Sequence, residues 1–110
     1  MASSPSLHES LRQMLALLEG ERQALAALDL ERILTCADGK VELCERIERG
    51  VTGALNEEER ALLDAVTRLN DINRKMRNLI AANVEARLAS LTGSVGLYGQ
   101  ARSSMRELPA

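Results

Sequence analysis

The chain has 110 residues, of which 45% are hydrophobic and 27% charged, with a formal net charge of -2. That length holds one domain, and charges of both signs spread along it lack the concentrated basic face that a nucleic-acid binder needs. No apolar run approaches the roughly 20 residues that span a bilayer, and the N-terminus lacks the basic and apolar regions of a signal peptide, so a cytoplasmic protein without membrane insertion is expected.

Aromatic residues make up 1% of the chain, with no Trp and no Phe. A core must therefore be built from Leu, Ile, Val, Met and Ala, which bury less area per side chain and make stability depend on long helix packing or on a partner. Cys36 and Cys44, if on one helix, lie about 12 Å apart along its axis, too far for a disulfide. His8 is too distant in sequence to join them as a metal ligand, so both read as reduced, packed or half-packed thiols and no cofactor or metal is expected.

In chain order, residues 1–5 form a leader, and Ser6-Leu7-His8-Glu9 has the form of a capping box that starts a helix over about 6–28. Apolar residues recur at Leu11, Met14, Leu18, Leu25 and Leu28, a heptad-like spacing on one face that Glu21 alone interrupts. Gly20 within it costs about 1 kcal/mol relative to Ala. His8 reads as a solvated first-turn residue.

At Leu28-Asp29-Leu30 the phase changes. Continuing the first stripe would select Arg32, Thr35, Gly39, Glu42, Arg46 and Arg49, whereas the apolar positions are Leu30, Ile33, Leu34, Ala37, Val41, Cys44, Ile47 and Val51. The offset rotates the apolar face by roughly 200°. Either the helix breaks near Asp29, a good N-cap residue, or one long helix carries opposite apolar faces in its two halves. Asp38-Gly39 is a turn signal, but the spacing runs through it and the segment over about 30–50 is expected to stay helical. Gly50-Val51-Thr52-Gly53 is expected to end it with glycine in left-handed geometry.

Asn56 and Glu59 form a second capping box, and Glu57, Glu58 and Glu59 sit where the helix dipole favours carboxylates. The last helix, about 56–92, carries the stripe Leu62, Val66, Leu69, Asn73, Met76, Ile80, Val84, Leu88 and Leu91, which points to a coiled-coil-like bundle. Asn73 lies within the stripe, bordered by Asn70 and Asn83, and a buried Asn there fixes register at a cost in stability. Arg68, Arg74, Arg77 and Arg87 alternate with Asp64, Asp71 and Glu85 on what reads as a solvated face. The expected fold is all-α, an antiparallel bundle or coiled-coil-like hairpin over residues 1–92, followed by a flexible tail over 93–110. In that tail Leu97, Ala101, Met105 and Leu108 fall at helical spacing beside Tyr98 and Arg102, a pattern for a helix that forms on a partner.

The array Leu69-Asn70-x-x-Asn73-Arg74, then Leu79, Asn83, Leu88 and Leu91-Thr92-Gly93, followed by a short linker and Tyr98-Gly99, resembles the C-terminal half of the flagellar export chaperones of the FlgN family. Glu19-x-Glu21-Arg22-Gln23-Ala24-Leu25 and Lys40-x-x-Leu43 are similar to the first half of that family. Members often follow Tyr-Gly with an acidic residue and Gly, where this chain has Gln100-Ala101-Arg102. The resemblance implies a cytoplasmic, non-enzymatic chaperone that holds the hook-filament junction proteins FlgK and FlgL by their terminal helices and delivers them to the type III export apparatus. It implies client contacts along the last helix and tail, at Met76, Ile80, Val84, Leu88, Leu91, Leu97, Met105 and Leu108. Tyr98 and Gly99 would contact the export gate protein FlhA. The competing class is a structural or oligomerising coiled-coil protein whose stripes pair only with copies of itself, without client transfer, and under either reading a homodimer stays open beside the monomer. An enzyme is a distant third, since the sequence shows no nucleophile and base pair, no phosphate loop and no metal set.

Overall fold

The computed structural model describes residues 6–92 as an all-α fold of three helices, α1 (Leu7–Ala27), α2 (Leu30–Gly50) and α3 (Glu57–Leu91). The chain divides at Met76 into two units, Met1–Met76 and Arg77–Ala110. The first holds α1, α2 and the start of α3.

Local chemistry sets the helix ends. The Ser6 hydroxyl accepts from the Glu9 N–H at 3.1 Å and starts α1, and the Asp29 carboxylate accepts from the Arg32 N–H at 3.2 Å and starts α2. At α3 the box is reciprocal, with the Glu59 N–H donating to Asn56 Oδ1 at 2.7 Å and the Asn56 N–H donating to Glu59 Oε1 at 3.0 Å. Of the two routes open at Asp29, the chain takes the break. Leu28 turns left-handed at φ 55, its N–H donating to the Leu25 carbonyl at 3.1 Å and the Asp29 N–H to the Ala24 carbonyl at 2.9 Å. These two bonds satisfy carbonyls that the end of a helix leaves without partners. The glycine-capped end expected at Gly50-Val51-Thr52-Gly53 does not occur. Helix α2 runs through Gly50 and closes on Val51 in extended geometry at φ -81, and no glycine among the described residues has positive φ. Gly50 instead gives room for packing, since a Cβ there would meet Leu7 at 3.4 Å.

Leu11, Met14, Leu18, Ala24 and Leu25 of α1 are buried, and Leu43 of α2 joins Met14 and Leu18 in a core flanked by Leu17, Ile47, Val66 and Leu69. Leu28, placed in the α1 stripe by its spacing, is exposed because the left-handed turn takes it off the helix. Helix α2 corrects the sequence expectation most. Its inner face is Ile33, Cys36, Lys40, Leu43, Ile47 and Gly50, while Leu30, Leu34, Ala37, Val41, Cys44 and Val51 are exposed. Both sets fall at helical spacing, the outer one in steps of four and three as far as Cys44, so periodicity alone does not choose between them. Cys36 is half-buried, whereas Cys44 is exposed rather than packed, and both are free thiols. Helix α2 continues through Gly39 as expected, and the missing side chain there lets α1 approach, because a Cβ would come within 2.8 Å of Leu17 Cδ1.

Candidate functional site

Three observations bear on what this protein can bind: a polar cluster inside the bundle, an exposed apolar face on the second part of α3, and another on α2.

The polar cluster ties all three helices together. Glu21, which interrupts the α1 stripe in the sequence, is 2% exposed. Its carboxylate accepts from Lys40 Nζ of α2 at 3.1 and 3.2 Å and from Asn73 Nδ2 of α3 at 2.8 Å. Asn73 is fully buried and also donates to the Leu18 carbonyl at 2.9 Å, while its Oδ1 has no partner. Lys40 donates further to Asn70 Oδ1 at 3.2 Å. Burying a carboxylate costs several kcal/mol, and only a cation and several donors offset that. The cluster brings Glu21 of α1, Lys40 of α2 and Asn73 of α3 level with one another. Asn83, by contrast, is exposed.

His8 is half-buried rather than solvated, with Nε2 3.5 Å from Glu58 Oε1. Beside it a groove of about 510 Å³ is lined by His8, Glu9, Arg12, Gln13 and Ala16, none of them a nucleophilic Ser or Cys. Among the described residues no group of three or more His, Cys, Asp and Glu side chains is placed to hold a metal ion. No described helix is long and apolar enough to cross a membrane.

Along the outside of α1 and α3 the charges pair within one helix. Arg22 donates to Glu19 and Arg68 to Asp64, and these hydrogen bonds, with the attraction between the charges, push both guanidinium pKa values up. Asp71 accepts from Arg74 at 2.6 Å and pairs with Lys75 at 3.1 Å. The hydrogen bond from Arg74, then that from Lys75, holds its carboxyl below the usual carboxylate range.

Of the residues expected to bind a client, Met76 and Ile80 are half-buried, and Val84, Leu88 and Leu91 are exposed. Every residue from Ala81 to Leu91 is exposed, and Leu91 is 80% exposed. Leu97, Tyr98, Gly99, Met105 and Leu108 lie outside the described residues. Two features escape the sequence pattern: the role of Glu21 as the centre of the polar cluster, and the outward direction of the Leu30, Leu34 and Val41 stripe. A charge inside an apolar stripe, with a lysine on the next helix, is the signal that could have found the first.

Comparison with protein-family models, with curated proteins and with solved structures finds no match to this chain.

Proposed function

We propose that this protein is a cytoplasmic export chaperone of the FlgN type, which holds hook-filament junction proteins resembling FlgK and FlgL and delivers them to an FlhA-like export gate. The observation that carries the proposal is the second part of α3. Ile80, Val84, Leu88 and Leu91 follow one another at helical spacing, and the last three are exposed. A helix that only faced water would have no use for that stripe, whereas an amphipathic client helix can lay its own apolar face along it. The order of Leu69-Asn70-x-x-Asn73-Arg74, Leu91-Thr92-Gly93 and Tyr98-Gly99 supports the same function.

The test is retention of a FlgK-like C-terminal helix by the full chain. Wild type retains it, and Val84→Asp with Leu88→Asp weakens retention by about tenfold or more, the loss expected when central apolar contacts are broken. Both positions are exposed, so helicity by circular dichroism stays unchanged. Sedimentation supplies the contrary outcome. A tight oligomer that does not exchange into a one-to-one complex with client identifies a structural coiled-coil protein instead.

A further inference from the structure

Helix α2 has two apolar faces and the bundle uses one. On the outer face Leu30, Leu34, Ala37, Val41 and Cys44 alternate steps of four and three residues, the spacing of a coiled-coil seam. Leu30, Leu34 and Val41 are 72%, 68% and 62% exposed. From Leu30 to Cys44 the stripe is about 21 Å long, four turns of helix. Single exposed apolar residues are ordinary, but a continuous seam of this length is the mark of a partner site.

The charges beside the stripe say which partner. Glu31, Asp38 and Glu45 follow one another at heptad intervals along one edge, all exposed, with the exposed Arg49 one turn beyond Glu45 at the helix end, and Glu48 stands in line with the stripe itself. Glu42, further round the helix, is already paired with Arg46 at 2.6 Å. The opposite edge is formed by Ile33, Lys40 and Ile47, which turn toward the bundle, with Lys40 bonded to Glu21 and Asn70. Carboxylates at the edge repel nucleic acid and anionic lipid. A second copy docked antiparallel on this face would set Glu31 against Glu45 and Asp38 against Asp38, and a parallel copy would find Lys40 already taken. A helix with Lys or Arg along its edge meets both the apolar stripe and the charge.

We propose that the outer face of α2 docks an amphipathic helix of a partner protein whose apolar stripe is edged by Lys or Arg. This site stands or falls apart from client binding on α3.

The experiment measures fluorescence anisotropy of a labelled synthetic helix of about 18 residues, long enough to be helical in water. One peptide carries Leu at the seam positions and Lys beside them, and its counterpart carries Glu in place of Lys. The full chain binds the Lys peptide at least about tenfold more tightly than the Glu peptide, and the preference shrinks as salt screens the edge charges. Leu34→Asp with Val41→Asp weakens binding about tenfold or more. Glu31→Gln with Asp38→Gln and Glu45→Gln keeps the stripe but loses the preference for Lys. Val84→Asp with Leu88→Asp leaves Lys-peptide binding unchanged. The proposal is overturned if wild type does not bind the Lys peptide, or if Leu34→Asp with Val41→Asp binds it as well as wild type does. Binding lost only in the Val84 and Leu88 variant, or a wild-type dimer that the Leu34 and Val41 variant converts to monomer, also overturns it.

Discussion

Leu28 turns the chain between α1 and α2 at φ 55 with its side chain mostly in solvent. For a residue with a Cβ this geometry costs about 1 kcal/mol, and glycine adopts it without that cost. Leu28→Gly should therefore raise stability by roughly 0.5–1 kcal/mol, seen as a higher urea midpoint at unchanged slope. The cluster around Glu21 predicts an asymmetry. Lys40→Met leaves the buried carboxylate without its cation and should cost about 3 kcal/mol, whereas adding Glu21→Gln to it should recover much of the loss, because the amide carries no charge yet still accepts from Asn73 Nδ2. If the double variant is as unstable as the single one, the cost does not come from an unpaired charge. Asp71 adds a pH dependence. Its folded pKa lies below the ordinary value, so its contribution is present above that ordinary value and is lost as pH falls through the folded one. Asp71→Asn should flatten that part of the acid limb of the stability curve. At this scale the sequence was half legible. Asn73 stands out as a polar residue in an apolar stripe, but Glu21 looks like a gap in a pattern, because its partners are 19 and 52 residues away.

The helix boundaries could be read because capping is local: Ser6, Asp29 and the pair Asn56 and Glu59 each bond within three residues. The facing of α2 could not. Its two stripes have the same spacing, and the inner one is marked by Lys40, whose charge argues for solvent unless Glu21 is known to wait opposite. The end at Gly50 misled for a related reason, since glycine serves close packing as well as left-handed turns. Gly20 has neither use: a Cβ there would meet nothing nearer than Arg32 Nη2 at 3.8 Å. Gly20→Ala should stabilise α1 by up to about 1 kcal/mol, while Gly39→Leu should destabilise the bundle, because Leu17 already fills that space. Thermal unfolding of the two variants measures both.

Across the whole molecule, burial is uneven. Within Met1–Met76, Leu11, Met14, Leu18, Leu25 and Leu43 are packed, whereas Ala81 to Leu91 are exposed throughout. Amide exchange should be slow in the buried stretches of α1 and α2 and much faster from Ala81 to Leu91, since a helix without buried contacts opens locally. A client on α3 should raise protection there, and the absence of any rise on client addition would remove α3 as the binding face. For the proposed gate contact, Tyr98→Ala should leave client binding intact and weaken docking to an FlhA-like protein.

A bundle packed from aliphatic side chains is also dark in the near ultraviolet. With no Trp, no Phe and one Tyr in the chain, the folding of α1 to α3 has to be followed by far-ultraviolet dichroism. Fluorescence from Tyr98, which comes after α3 in the sequence, has no aromatic background from the helices. The native protein thus carries a label-free reporter at the position where the gate contact is proposed.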